Sequence, residues 1–340
     1  MQPREVTTMK KPFVSEIFLS LAEEAGVTVI LEPDYQFAGQ IILPDGRKRY
    51  FRDTHMDINP LGASEISEDK DYATFFISRL GYPVVTGQKF YSKEWCRIIR
   101  SRRNIDAAYR QARRFGFPVI VKPNNSSQGR GVTKVYTRRE FYRAARTILS
   151  KSKVMLLQKV AEGKDYRIVV LDNEVISAYE RIPFSVIGDG RSSIQQLIKR
   201  KQREFKKLGR DTQLDPEDPR IAMKLARARL SMDSILAKGQ QCFLLDNANL
   251  SSGGEALDVT DKISEGFKQI AIDLTHQMNL RYCGVDLLTS DPIETDTPKR
   301  FVILEINAAP GLDHYANIGE KQTQHVRDLY RKVLEAFKRG

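Results

Sequence analysis

The stretch FVILEIN, residues 301–307, narrows most sharply what this chain can become. In an extended strand successive side chains point to opposite faces. Glu305 and Asn307 therefore project together, while Val302, Leu304 and Ile306 face a core. Nineteen residues before Glu305, Asp286 interrupts a second apolar stretch, GVDLL, where an unpaired carboxylate is costly. Two carboxylates and one amide oxygen suit magnesium, which takes hard oxygen ligands and is completed by water and substrate phosphates. The same three residues would equally serve as strand-end caps or arginine partners. The residues alone leave both readings open.

Further polar sites punctuate other apolar stretches. KPNNSSQGRGV, residues 122–132, lies between FPVIV and VTKVY with Lys122 at its front edge. It is either a hairpin loop or a phosphate cradle, because glycines let backbone N–H groups approach phosphate oxygens. Neither familiar nucleotide fingerprint fits: Gly131 is not followed by a third glycine at the dinucleotide spacing, and no Gly-Lys-Ser/Thr closes the loop. A lysine ammonium serves phosphate as a point charge. Lys70 in SEDKDYATFF and Lys159 in LLQKV join Lys122 as candidates, and Lys122 is the one flanked by an apolar strand. In NANLSSGGEALDVTD, residues 247–261, adjacent glycines among hydroxyls and amides form an anion nest or a flexible loop entering a helix.

Between these sites the periodicity predicts a mixed α+β architecture with several sheets. SEIFLSLAEEAG has helical apolar spacing, VTVIL is a strand, and GQIIL-PDG-RKRYF is a hairpin turned at Asp45-Gly46. A helix is predicted over 67–81, with a Ser cap, Tyr72, Phe75, Phe76 and Leu80 on one side, and Gly81 ending it. A helix around 104–115 precedes the glycine loop. Thr137-x-x-Glu140 opens the next helix as a capping box, burying Phe141, Ala145 and Ile148. Strands follow at 154–160 and 166–181, then a polar, basic stretch from 188 to about 240, a helix over 261–278 and a C-terminal helix over 322–338.

The chain has 340 residues, ample to bury a core. No apolar run approaches the roughly 20 residues that span a bilayer, and the start MQPREVTTMKKPF lacks a signal peptide's apolar centre. Cys96, Cys242 and Cys283 lie far apart without metal or redox spacing, so a reducing, cytoplasmic setting is expected. A net charge of +12 points to anionic partners: nucleotides, acidic substrates or a polyanion. The densest basic block, KRKQREFKKLGR at 199–210, reads as a solvated helix face or a steering surface. Four histidines without companion motifs give no nucleophilic triad or zinc pattern. Aromatic residues are not interleaved with basic ones as a nucleic-acid stacking platform needs, so nucleic acid is not the expected partner.

Taken in order, VIVKPNNSSQGRGV, LLQKVAEGKDYRIVVLDNEVISAYERIP, VIGDGRSSIQQLI, NANLSSGGEALDVTD, GVDLL and ILEINAAPG resemble the ATP-grasp ligases. Within that superfamily the chain is most similar to the ATP-grasp region of cyanophycin synthetases, with glutathione synthetases and ribosomal-protein glutamate ligases more distant. The resemblance covers residues 66 to about 315. It implies two α+β lobes clasping ATP: a short N-terminal α/β segment over 1–65, a small lobe with a glycine-rich lid over 66–159, and a large lobe with metal and substrate sites over 160–340.

The resemblance also implies roles. Lys70 and Lys122 match phosphate-contacting lysines, and Gly129 and Gly131 match lid glycines. Gln158, Lys159 and Ala161 match the hinge at the adenine, and Asp165 matches an acid at the ribose. Asp286, Glu305 and Asn307 match the ligands of two magnesium ions, with manganese as an alternative. Arg167 and Arg181 match arginines near the acyl phosphate, and Lys159 is expected beside them at the transferred phosphate. Asn249, Ser251, Ser252, Gly253 and Gly254 match the loop at the substrate carboxylate. The implied activity is ADP-forming amide-bond synthesis between amino-acid or small-peptide carboxylates and amines, with no membrane partner and a homo-oligomer left open. Two other classes stay in view, an inactive ATP-binding regulatory module and a basic polyanion-binding protein. Only about 65 residues precede the resemblance, and the chain stops one helix beyond NAAPG, so a complete cyanophycin synthetase cycle is not expected. His55, Asp57 and Asn59 are either substrate contacts or a polar turn. Gly284 stands where D-alanine ligases place an arginine, which argues against that branch.

Overall fold

A computed structural model describes residues 12–125, 131–210 and 212–339. Gly129 of the expected lid lies outside them. The N-terminal unit is a helix, α1 (Phe13–Leu21), and an antiparallel meander of β1 (Thr28–Leu31), β2 (Ala38–Ile42), β3 (Lys48–Arg52) and β4 (His55–Met56). The Asp45-Gly46 turn joins β2 to β3 as its sequence predicts.

In place of one helix over 67–81 there are two, α2 (Leu61–Glu68) and α3 (Lys70–Arg79). Asp69 is extended, at φ −91° and ψ 105°, and its carboxylate accepts from the Asp71 and Tyr72 N–H groups, both at 3.0 Å. That side-chain cap satisfies amides that a continuous helix would have bonded internally. The face that α3 buries carries Ala73 and Ile77, whereas Tyr72, Phe75, Phe76 and Leu80 are exposed.

A four-stranded antiparallel sheet follows, built from β5 (Gly87–Tyr91), α4 (Lys93–Ile98), α5 (Ile105–Phe115), β6 (Val119–Pro123), β7 (Thr133–Val135), α6 (Arg138–Leu149) and β8 (Val154–Lys159). Its strand order is β5-β8-β6-β7. Ala108 and Ala112 of α5 and Phe141, Ala145 and Ile148 of α6 pack on Val119, Val121, Met155 and Leu157. Alternation then sends Lys122 and Gln158 to the opposite face.

The larger sheet uses β9 (Lys164–Leu171), β10 (Glu174–Ile182), β13, β14 and β15, where β11 (Ser185–Ile187), α7 (Ile194–Lys207), α8 (Pro219–Arg227) and β12 (Gln241–Phe243) intervene before β13 (Glu255–Asp258). After α9 (Glu265–Gln277) come β14 (Tyr282–Thr289), β15 (Phe301–Asn307), α10 (Asp313–Ala316) and α11 (Glu320–Arg339). Its antiparallel order is β13-β10-β9-β14-β15. One face buries Ile168, Val170, Val285 and Leu287 under α9, together with Ala73 and Ile77 of α3. The other buries Val169, Leu171 and Tyr282 against α11 and the N-terminal unit. The polar, basic stretch expected from 188 to about 240 carries α7 and α8: a Ser193–Gln196 capping box starts α7, and Phe184, Ile194, Ile198, Ile221 and Leu225 share a core.

Strict alternation along FVILEIN fails at one point. Asp286 pairs with Glu305, but Leu287 pairs with Ile303, so Leu304 is the extra residue of a β-bulge. The bulge shifts the phase. Ile303 and Ile306 are buried, while Val302 and Leu304 are only half-buried. No helix among the described residues is long and apolar enough to cross a membrane.

Cys283 lies in the core on β14 with its Sγ 3.1 Å from Thr275 Oγ1, and burial pushes its thiol up to about 12. Cys96 and Cys242 are half-buried. Disulfide-exchange titration of the native protein is therefore expected to modify two thiols promptly and the third only on unfolding; prompt reaction of all three would contradict this packing.

Candidate active site

The cross-strand register of the larger sheet lines up Tyr179, Arg167, Asp286 and Glu305 on β10, β9, β14 and β15. Arg181 and Asp165, two residues along their strands, share that face. Asp286 is fully buried, and both of its oxygens are committed. Arg167 Nε donates to Oδ1 at 2.6 Å and Nη2 to Oδ2 at 2.7 Å, while Arg181 Nη1 lies 2.8 Å from Oδ2. Arg181 also donates from Nε and Nη2 to Asp165 Oδ1, at 2.9 and 2.7 Å. Burial pushes the Asp165 carboxyl up to about 6, against the lowering field of Arg181. The resemblance places Asp165 at a ribose; here it holds an arginine. Gly284 makes room for this cluster, since a Cβ there would lie 3.1 Å from Pro310 Cβ and 3.4 Å from Arg167 Cδ.

Glu305 links the row to the lysines. Lys70 Nζ, at the start of α3, is 3.2 Å from Glu305 Oε2. Burial acts to raise the Glu305 carboxyl, but the fields of Lys70, Lys122, Arg167 and Arg181 hold it well below the usual range. Burial pushes the Lys122 ammonium down to about 8, with Glu305 opposing the shift and Lys70 adding to it. Four cations and three carboxylates thus converge between the two sheets, and the excess is positive.

Lys159 is not among them. It pairs in register with Val119, on the helix-covered face, and its Nζ lies 5.7 Å from the centre of the Phe115 ring. The expectation that it meets the transferred phosphate beside Lys122 is corrected, because neighbouring residues of one strand alternate faces. Gln158 is buried on the Lys122 face, and Ala161 is half-buried just beyond β8. Gly131 has φ +75°, a conformation that favours glycine. The carbonyl of Val132 beside it accepts from Arg220 Nη1 of α8 at 3.3 Å.

Three contacts escaped the sequence reading. Asn124 Nδ2 donates to Asp69 Oδ2 at 2.8 Å, its Oδ1 accepts from Asp71 N–H at 3.2 Å, and Lys89 pairs with Asp71. They tie Asn124, just beyond β6, and β5 to the start of α3. The only available signal was the position of Asn124 two residues after Lys122.

The 249–254 segment is not a free anion nest. The amides of Ser252 and Gly254 donate to the Asn249 carbonyl at 3.0 and 3.1 Å, and that of Gly253 donates to Leu250 at 3.1 Å. The amides from Ser252 to Gly254 are thereby spent, which leaves the Asn249, Ser251 and Ser252 side chains and the earlier amides of the segment as the groups that could reach a ligand. The segment adjoins Arg181, which pairs in register with Ala256. His55, Asp57 and Asn59 lie in the polar segment leading into α2 and are engaged within the fold. Asn59 bonds the backbone at Arg281, Tyr282 and Ala308, Asp57 accepts from Tyr50 N–H, and His55 meets Glu68.

The donor set fits a magnesium ion in part. Asn307 Nδ2 donates to Glu305 Oε1 at 3.2 Å, so the two side chains sit on one face, and the Glu305 carboxylate and the Asn307 amide oxygen are hard donors of the kind magnesium with phosphate co-ligands takes. Both oxygens of Asp286 are bonded to arginines, so for this residue the structure shows the arginine-paired alternative.

The chain belongs to the RimK-like ATP-grasp domain family, whose sequence model matches residues 84–253 and 246–326. It is 29% identical over 217 residues to the glutathione biosynthesis bifunctional protein GshAB of Clostridium perfringens, covering 62% of this chain and 28% of that protein. It is 29% identical over 307 residues to the cyanophycin synthetase of Trichormus variabilis, covering 87% of this chain and 32% of that protein. The chain thus spans about three tenths of the length of these relatives. The crystal structure of a bifunctional glutathione synthetase from Pasteurella multocida matches 95% of this chain and 44% of that one, with a TM-score of 0.59 and 22% identity. The ATP-grasp fold expected from the motifs is borne out.

Two outcomes are expected. Gly284→Ala should cost about 1–3 kcal/mol in denaturant unfolding by crowding Pro310; an unchanged midpoint would show that the close approach is dispensable. Because Lys122 loses its charge as pH rises through about 8, ATP affinity measured by titration should fall over that range. Lys122→Arg, which stays charged, should flatten the profile, and identical profiles would contradict the placement of Lys122 at the nucleotide.

Proposed function

We propose that this protein is an ATP-dependent, ADP-forming ligase that joins the carboxylate of an amino acid or small peptide to an amine. The observation that carries the proposal is the convergence of Lys70, Lys122, Arg167 and Arg181 on a buried sheet face beside Glu305 and Asn307. Membership of the RimK-like ATP-grasp family and similarity to proteins named for glutathione and cyanophycin synthesis support it.

The chemistry follows from the charges. A carboxylate is a poor electrophile, so its oxygen first attacks the γ-phosphorus of ATP and the bond to ADP breaks, giving an acyl phosphate. Two anions must meet, and Lys70 and Lys122 offset their repulsion at the phosphates. Arg167 and Arg181, held rigidly by Asp286 and Asp165, receive the charge on the transferred group and the acyl oxygen. The amine nitrogen then attacks the carbonyl carbon, the carbon–oxygen bond to phosphate breaks, and the amine loses a proton.

Gln158, Ala161 and the Lys159 backbone border the adenine, and the loop with Gly129 and Gly131 covers the phosphates and excludes water. Asn249, Ser251 and Ser252 hold the substrate carboxylate, with Gly253 and Gly254 shaping their turn. Glu305 and Asn307, with Asp286 behind them, would hold magnesium, which would supply charge neutralisation at the phosphates; a second ion and manganese belong to the same proposal.

ADP release, screened over an amino-acid panel pairing each carboxylate donor with each amine acceptor, tests the proposal. At least one pair should exceed background, and Glu305→Ala should lower that rate by about 100-fold or more. If no pair exceeds the mutant while ATP still binds, the ligase reading fails and a regulatory nucleotide-binding role takes its place.

A further inference from the structure

The positive charge of this chain is concentrated in one lobe, and not where the densest sequence block suggested. Residues 87–159 hold nineteen Lys and Arg against three acidic residues, whereas the rest of the chain holds 36 against 40. Among the described residues between 93 and 153, fourteen basic side chains are exposed, eleven of them arginines. None of these fourteen has a carboxylate partner within 4.0 Å among the described residues. In the 199–210 block Arg200 meets Asp189 at 2.9 Å, Lys201 meets Glu255, and Arg210 donates to the carbonyls of Leu250 and Gly254, which leaves Lys199, Arg203, Lys206 and Lys207 as exposed cations without a carboxylate within 4.0 Å among the described residues, four on one helix against fourteen on the small lobe.

The centre of this charge is the outer face of α5 and α6. All seven of their arginines are exposed. An open groove of about 520 Å³ is lined by Asp106, Arg138, Arg139, Tyr142 and Arg146. The aromatic rings there hold guanidinium groups: Arg138 lies 5.6 Å from the Tyr109 ring centre and 5.8 Å from that of Tyr142, which Arg146 approaches to 5.5 Å. Asp106 accepts from the Tyr142 hydroxyl at 2.8 Å, and Glu140 accepts from Tyr136 N–H at 2.7 Å. The rings are covered, so they are not a base-stacking platform; they steady the arginines.

From this surface we infer that the α5–α6 face docks the phosphodiester backbone of a nucleic acid without reading its sequence. Unpaired cations of one sign on helices about 16 and 18 Å long suit a regularly charged polyanion. Arginine forks match phosphate geometry. An acidic protein fits less well, because interface cores use apolar and aromatic anchors and neither helix exposes a large hydrophobic side chain. Insertion into a lipid surface fits less well too, since the apolar faces of α5 and α6 are buried in the lobe's core. The face lies on the side of the sheet away from Lys122, so a docked strand leaves the nucleotide cleft open.

The experiment is fluorescence anisotropy of the whole protein with a random-sequence RNA duplex and a matching DNA duplex, across a salt series. Both should bind at low salt with log K falling linearly against log salt, and the tighter arm identifies the natural source. Replacing Arg110, Arg113, Arg139 and Arg143 by Gln should lower affinity at least ~10-fold and flatten the slope by about 1 per phosphate contact removed. A matched set on α7, with Lys199, Arg203, Lys206 and Lys207 replaced by Gln, should leave both values nearly unchanged. Replacing the four arginines by lysine keeps the charge and should keep the slope, which decides the matter if the Gln set fails to fold. The inference is overturned by absence of binding at low salt, by equal loss in the α7 set, by loss of the slope in the lysine set, or by tighter binding to poly-glutamate or phosphatidylserine vesicles than to either duplex.

Discussion

Asp286 is the constraint around which the large sheet is organised. A fully buried carboxylate on a central strand is tolerable only with its charge met and its lone pairs filled. Arg167 fills both oxygens from the adjacent strand, and Arg181 reaches the same carboxylate from one strand further. Two guanidinium groups are thereby fixed on one face, Asp165 accepts from Nε and Nη2 of Arg181, and Gly284 leaves room for Pro310, whose Cβ would stand 3.1 Å from an added Cβ. Once the row is in place, Glu305 opposite Asp286 becomes the point where Lys70 and Lys122 converge.

The small lobe faces two ways. Alternation along β6 and β8 turns Lys122 and Gln158 toward the cleft and turns Val119, Val121, Met155 and Leu157 toward α5 and α6. The helices then present their polar side outward, and that side is almost wholly cationic. One lobe therefore carries positive charge on both surfaces, by different means. Buried lysine at the cleft is perturbed by its surroundings, whereas the exterior arginines are solvated and unpaired.

Much of the site was legible because its residues interrupt apolar strands. Glu305, Asn307, Asp286 and Lys122 each stand where a core residue would otherwise be expected, and the ATP-grasp resemblance supplied their order. What the sequence concealed was relative placement. Nothing in FVILEIN announces the bulge at Leu304, which depends on pairing with β14. The break at Asp69 hides inside a good helical pattern because a side-chain cap competes with the helix only when Asn124 arrives from 55 residues away. Lys159 looked like a partner of Lys122 until register put it beside Val119. The basic lobe was missed because its arginines are spread over helices and loops and form no single dense run.

The central claim is that Asp286 and its arginines act as one coupled unit. A double-mutant cycle in denaturant unfolding, with Arg167→Met, Asp286→Leu and the two combined, tests it most directly. Arg167→Met leaves Asp286 with Arg181 alone and Asp286→Leu leaves Arg167 without its carboxylate, and each should cost about 3–5 kcal/mol. The combined variant, with both charges gone, should lose less than the sum of the two by at least ~2 kcal/mol. Losses that add to within about 0.5 kcal/mol would show that the two side chains are energetically independent, and the account of this site would not stand.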